Sequence, residues 1–260
     1  MLVLRPGALG DTLLAVPALR ALRGRFSPLT LAAHGGAARL LVSVGEVDRG
    51  IAFDDPSLGR LFSGEPIAED AIVAWMARDR LPAGQRALVV APSRPAGTGL
   101  HCAQYLLDSV KHLGIDPVLD QRPLDVRPNA SDDVLIHPGS GSAVKNWPAA
   151  QFAAMIEALE APVKLIVGEA DAQAAQAVEA ALGRALPRLE NIPLEALAGR
   201  LAGCRAYVGN DSGVSHLAGL CGARTIVLFG PTSPEVWRPL GPQVHVASFD
   251  TPPERVAALV

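Results

Sequence analysis

Cysteine is scarce in this sequence: Cys102, Cys204 and Cys221 are the three in 260 residues, far apart and without C-x-x-C spacing. An odd, scattered set makes neither a disulfide framework nor a thiolate zinc site, and it fits a reducing compartment. An excess of positive charge is also missing. Lys and Arg number 23 against 26 Asp and Glu, a formal charge of −3, and no dense basic stripe marks a nucleic-acid binder. No apolar run approaches the roughly 18 to 20 residues of a membrane span. The apolar N-terminus is broken by Gly10, Asp11 and Pro17 before any secretory h-region forms. The 25 glycines and 22 prolines follow no period, which excludes collagen and low-complexity readings. These absences predict a soluble cytoplasmic protein. Arg20, Arg23 and Arg25 read first as solvated charges at a helix end. Their second reading is weak peripheral contact with the inner face of an inner membrane.

What is present is a large apolar fraction, 49% of residues, set out as short strands alternating with longer helical patterns. Met1–Leu4, Leu29–Ala33, Arg49–Phe53, Ala71–Ala74 and Ala87–Ala91 read as strands of a first half. Leu13, Val16, Leu19 and Leu22 show helical spacing, and a helix over Gln104–Leu113 should stop at Gly114. The polar, Pro-containing stretch Gln121–Asn129 suits an interdomain linker. The rhythm then restarts, with strands at 133–136, 164–167, 206–208 and 225–228 and helices between them. Near-continuous apolar strands in βα alternation imply parallel sheets covered on both faces. The expected architecture is α/β, with Rossmann-like halves at 1–128 and 129–247 and a last helix at 248–260.

Ligands of open α/β sheets sit at the carboxyl ends of strands, so the strand-to-helix turns carry the functional information. The first is Arg5-Pro6-Gly7-Ala8-Leu9-Gly10-Asp11. It is not G-x-G-x-x-G, which argues against a dinucleotide fingerprint. Asp11 can be a helix cap or, facing a cleft, a general base. The second, His137–Pro148, combines glycines, Ser140 and Ser142 with Lys145. Exposed N–H donors, hydroxyls and one mobile cation suit an anion, although Walker A spacing is absent. The third is Gly209–His216. There the N–H groups of Ser212, Gly213 and Val214 would emerge from a helix N-terminus, with Asp211 as the expected cap and His216 one turn in. A fourth turn, Phe229–Thr232, should end the next strand beside it. Asp54-Asp55 is not D-x-D and no His/Asp/Glu cluster has ligand spacing, so no metal and no cofactor are expected.

Three segments together resemble glycosyltransferase family 9, the lipopolysaccharide heptosyltransferases and their relatives. They are RPGALGDTLLAVPALRALR at 5–23, HPGSGSAVKNWPAAQF at 137–152, and VGNDSGVSHLAGLCGARTIVLFGPTSPEVWRP at 208–239. The resemblance covers 131–260 and about the first 25 residues; positions 26–130 match in βα rhythm alone. It implies a GT-B fold, two Rossmann-like domains whose parallel sheets face across a cleft, with the nucleotide-sugar in the C-terminal one. It also implies inverting transfer of a heptose from ADP-heptose to a lipopolysaccharide-core or similar glycan or glycolipid acceptor. Asp11 then becomes the base, with Gly10 beside it on the acceptor side. Ser140, Gly141 and Lys145 would contact the diphosphate, and Ser212, Gly213 and Val214 its phosphate oxygens. Asp211 and His216 would lie near the donor sugar, and Glu169 near the nucleoside. By the family's standard the N-terminal half is short, which leaves the acceptor unnamed. Two alternatives stay open: a nucleotide-sugar-binding module without transferase activity, and a GT-B nucleotide-sugar epimerase.

Overall fold

The computed structural model describes residues 1–65, 71–77, 81, 86–95, 97, 99–116 and 118–260. The chain divides into two compact units, Met1–Asp120 and Gln121–Val260.

In the first unit the elements run β1 (Leu2–Arg5), α1 (Leu9–Leu13), α2 (Val16–Arg25), β2 (Thr30–Ala33), α3 (Gly35–Ser43), β3 (Arg49–Ala52), α4 (Gly59–Phe62), β4 (Ile72–Trp75), β5 (Ala87–Ala91) and α5 (Cys102–Val110). The described strands form a parallel sheet in the order β3-β2-β1-β4-β5. Every residue of β1, β2 and β4 is buried, as strands must be when helices cover both faces. α5 turns Cys102, Ala103, Leu106, Leu107 and Val110 inward, a stripe at helical spacing that packs on α2. A 3-10 turn at Lys111–Leu113 then ends at Gly114, whose φ of 76° supplies the left-handed stop.

Of the arginines of α2, Arg20 departs from the solvated reading, while Arg23 and Arg25 are exposed as expected. The Arg20 side chain is 5% exposed, donates from Nη2 to Glu46 Oε1 at 2.6 Å, and lies 3.4 Å from Asp120 Oδ1. Arg23 pairs with Asp48 at 3.0 Å. Two of the three charges are therefore neutralised within the unit, because carboxylates distant in sequence fold back onto α2.

The second unit contains β6 (Val134–His137), α6 (Ala149–Glu157), β7 (Val163–Val167), α7 (Ala172–Leu182), β8 (Arg188–Glu190), α8 (Leu194–Gly203), β9 (Ala206–Asn210), α9 (Gly213–Leu220), β10 (Thr225–Phe229), α10 (Pro234–Trp237), β11 (Val244–Ser248) and α11 (Pro253–Ala257). Its strands are parallel in the order β11-β10-β9-β6-β7-β8, the doubly wound Rossmann arrangement. The core gathers Val134, Ile136, Phe152, Leu165, Val208, Ile226 and Leu228. Fully burying a side chain such as Phe152 contributes about 1.5–3 kcal/mol. Trp147 meets its ring edge to face, centroids 5.1 Å apart.

The stretch expected as a linker is instead structured, and it belongs to this unit. Leu124 is buried and its N–H donates to Leu220 C=O at 2.8 Å. Asn129 and Ser131 donate to the carbonyls of Gly199 and Gly203 on α8, each at 2.8 Å. A Cβ at Gly203 would fall 2.2 Å from Asn129 O, so the missing side chain is what admits the strip. Backbone pairing of this kind leaves no hydrophobic pattern for composition to reveal.

Candidate active site

In the second sheet the chain runs outward to opposite sides from β6 and β9, which makes their boundary the topological switch point. His137 stands opposite Gly209 in the register, so the turns after these two strands are neighbours. The crevice at such a point is where open α/β sheets bind ligands. The second and third glycine-rich turns are thus brought together by strand order, although 60 to 70 residues separate them in the chain.

Asn210 fastens one turn to the other. Its Oδ1 accepts the Trp147 N–H at 2.9 Å, and its Nδ2 donates to Pro138 C=O at 2.8 Å. The side chain is fully buried and both partners are backbone groups, so it does for the loop what a strand neighbour would do. Lys145, carried on a 3-10 turn at Ala143–Lys145, reaches back to Asp211, with Nζ 3.0 Å from Oδ2. Thr232, from the turn after β10, donates its hydroxyl to the same oxygen at 2.8 Å. Three turns therefore meet on one carboxylate that is 6% exposed as a residue.

Asp211 does not cap α9 as expected; that role falls to Ser212, whose Oγ accepts the Ser215 N–H at 3.4 Å. The N–H groups of Gly213 and Val214 precede the helical ladder, and both residues are partly exposed. His216 is buried one turn in, its Nε2 4.0 Å from Asp211 Oδ1. Ser140 is partly buried and its hydroxyl bridges to Ser142 O and Asn146 Oδ1, both at 2.7 Å, shaping the loop. Gly141 is exposed at its tip. Glu169 is exposed in the turn after β7, next to the switch-point strands.

His137 received no role from the sequence, yet it organises the floor of this site. Its Nδ1 lies 3.2 Å from Ser212 Oγ and its Nε2 2.9 Å from Asp171 Oδ2. A carboxylate offers only acceptors, so Nε2 carries the proton of the second bond. Asp171 also accepts the Gly168 N–H at 3.0 Å. It crowds the loop so closely that a Cβ at Gly139 would fall 1.9 Å from Oδ1. From Ser212 the network continues to Ser215 and the buried hydroxyl of Tyr207, whose pKa burial pushes far up. The signal in the sequence was the position of His137 as the last residue of a buried strand entering a glycine-rich turn.

Burial by itself would push the Asp171 carboxyl up. The hydrogen bond and charge of His137, with the Gly168 N–H, outweigh burial and hold it below the usual carboxylate range. A depressed pKa contributes stability that is present above the unfolded value, about 3.9, and is lost as pH falls through the folded value. Asp171→Asn should therefore lower stability at pH 7 and progressively less below about pH 4. Urea unfolding at both pH values checks this; an equal loss at both would show that the charge of Asp171 contributes nothing.

In the first unit the corresponding turn joins β1 to α1. Asp11 is the third residue of α1 rather than its cap, and its Oδ2 accepts the N–H of the cap residue Ala8 at 3.0 Å. The other oxygen faces Arg5, with Nη2 to Oδ1 3.5 Å. Gly7 has φ 133°, and a Cβ there would fall 2.8 Å from Asp11 Oδ2, so glycine alone lets the turn fold around the carboxylate. The Asp11 side chain is 20% exposed. Gly10 is buried inside α1.

Two Rossmann-like units, each with a glycine-bearing turn at its sheet's switch point, are the make-up of the GT-B class of α/β proteins. Within it the family is specific: the model for glycosyltransferase family 9 (heptosyltransferase) matches residues 102–257, more than half of the chain, and the chain belongs to that family. It is 35% identical over 150 residues to lipopolysaccharide heptosyltransferase 1 of Pseudomonas aeruginosa. That match takes in 55% of this chain and 40% of the relative, so the chain matches less than half of that protein's length. The fold is similar to that of E. coli ADP-heptose lps heptosyltransferase II, with TM-score 0.79 and 19% identity over 99% of this chain and 96% of that one. It is also similar to a glycosyl transferase family 9 structure from Veillonella parvula, with TM-score 0.78 and 18% identity over 95% and 85% of the two chains. E. coli heptosyltransferase WaaC with ADP gives TM-score 0.74 and 16% identity over 98% and 94%.

Proposed function

We propose that the protein is an inverting glycosyltransferase that moves a heptose, or a related sugar, from ADP-heptose to a lipopolysaccharide-core or similar glycan acceptor. The observation that carries this reading is the meeting of Lys145, Thr232 and the N-terminus of α9 on Asp211 at the second switch point. Breaking a glycosyl–diphosphate bond leaves negative charge on the departing nucleotide. Lys145 and the N–H groups of Gly213 and Val214 are preorganised to take up that charge, with Ser140 and Gly141 contributing loop donors. Asp211 and His216 would border the sugar and Glu169 the nucleoside. No metal enters the scheme, because the cation and the helix terminus already supply the countercharge.

In the first unit Asp11 is the base that removes the acceptor hydroxyl proton, with Gly10 beneath it. Inversion requires one such base, and Asp11 keeps part of its side chain exposed although both carboxylate oxygens have a protein neighbour, the Ala8 N–H and Arg5. Similarity to enzymes that bind ADP and to a lipopolysaccharide heptosyltransferase supports both donor and acceptor classes. The reading places the protein in the cytoplasm, with peripheral contact at the inner membrane if the acceptor is a lipid.

ADP should raise the melting temperature more than UDP or NAD at equal concentration, since a ligand that binds only the folded state stabilises it by mass action. A larger shift with UDP would overturn the donor assignment. Lys145→Ala should weaken ADP binding roughly 10- to 100-fold, the loss of one charge-assisted contact of about 1.5–3 kcal/mol. Calorimetric titration reads it, and an unchanged dissociation constant would remove Lys145 from the diphosphate site.

A further inference from the structure

Arg5 is the anomaly of the first unit. It ends β1, is wholly covered, and its Nη1 and Nη2 have no hydrogen-bond partner. A buried guanidinium with unspent donors is costly, since each lost bond to a charged group forfeits more than a neutral one. Being covered, it has no surface on which to meet a ligand. Its two directed interactions both go to one residue: Nε donates to Asp11 C=O at 3.0 Å, and Nη2 lies 3.5 Å from Asp11 Oδ1.

We propose that Arg5 is the positioning residue of the base, holding Asp11 by its backbone and its carboxylate at once so that the free lone pairs point to the acceptor hydroxyl. The inference rests on the assignment of Asp11 as base. Asp11 is gripped on two sides, by the Ala8 N–H on Oδ2 and by the guanidinium on Oδ1. A planar fork addresses a carbonyl and a carboxylate from separate nitrogens in a fixed geometry; a lysine ammonium carries its three donors on one nitrogen, which cannot occupy both places. At 3.5 Å the Nη2–Oδ1 contact is an ion pair rather than a hydrogen bond, so the guanidinium orients the carboxylate without using up its lone pairs. Two other groups share this pocket electrostatically, Arg94 from the segment after β5 and Cys102 at the start of α5. Burial pushes the Cys102 thiol up to about 11, so it stays neutral and leaves Asp11 as the anion facing Arg5.

The test is a double-mutant cycle on the whole chain, following ADP release from ADP-heptose with a de-acylated lipopolysaccharide inner-core oligosaccharide as acceptor. Arg5→Met should lower kcat roughly 100-fold with KM for ADP-heptose unchanged, and Arg5→Lys should recover about tenfold of that. In an Asp11→Asn background, Arg5→Lys should cause no further loss, because a residue acting through Asp11 has nothing left to act on. Should Arg5→Met fail to fold, the lysine variant alone completes the cycle. Losses that multiply in the double variant, or an Arg5→Lys enzyme with wild-type kcat, would overturn the proposal while leaving Asp11 as base. Full turnover by Asp11→Asn would remove the base itself, and this inference with it.

Discussion

Asp11→Asn is expected to lose transfer by a factor of roughly 10² to 10⁴, the range that a positioned general base supplies. Asparagine is nearly isosteric, so Oδ can still accept the Ala8 N–H and the turn at Gly7 need not move. What disappears is the ability to take a proton from an acceptor hydroxyl. Lys145 and the N–H groups assigned to the diphosphate all lie in the second unit, Gln121–Val260, and the substitution touches none of them. ADP affinity should therefore hold within a factor of about two while kcat collapses. Initial-rate kinetics beside calorimetric ADP titration separate the two quantities. Turnover near the wild-type level would rule out Asp11 as the base; a parallel loss of ADP binding would show a structural role instead.

The second large effect is expected at a residue that touches no ligand in the scheme. Asn210→Ala removes the acceptor of the Trp147 N–H and a donor to Pro138 C=O, both in a fully buried setting. Leaving such groups unpaired costs about 1–3 kcal/mol each, so a loss of roughly 2–6 kcal/mol is expected. For a unit of this size that corresponds to a fall in melting temperature on the order of 5–15 °C. ADP binding should weaken as well, because the loop bearing Lys145 loses its tie to β9. Asn210→Asp makes a useful companion: its carboxylate still accepts from Trp147 but puts a buried charge against the Pro138 carbonyl, so at pH 7 it should be at least as destabilising as alanine. An alanine variant as stable as wild type would mean that the two turns are held by packing alone.

The parallel strands and their order of appearance were legible because each is a run of apolar residues buried on both faces. β6, β9 and β10 needed no more than that. β8 and β11 escaped notice since edge strands are covered on fewer sides, and Arg188–Glu190 or Val244–Ser248 carry no continuous apolar signal. For the site, glycine-rich turns marked where to look, yet their mutual arrangement depends on which strands are neighbours, a long-range fact. Hence the sequence marks Thr232 as part of a fourth turn, while its bond to Asp211 depends on β9 and β10 being neighbours. An Asp before a helix suggests a cap, yet Ser212, one residue on, has the extended backbone and the side-chain bond that a cap requires. Asp171 and His137 form a pair across 34 residues that no local spacing announces.

The strip from Gln121 to Ser131 has a practical meaning for anyone dissecting the molecule. Its hydrogen bonds to Leu220, Gly199 and Gly203 give α8 and α9 part of their outer lining. A fragment started at 129, where the composition changes, would lose the buried Leu124 and bare the Leu220 carbonyl that its N–H now satisfies. Expression of the second unit by itself should begin at or before Gln121, carrying its own wrapping with it.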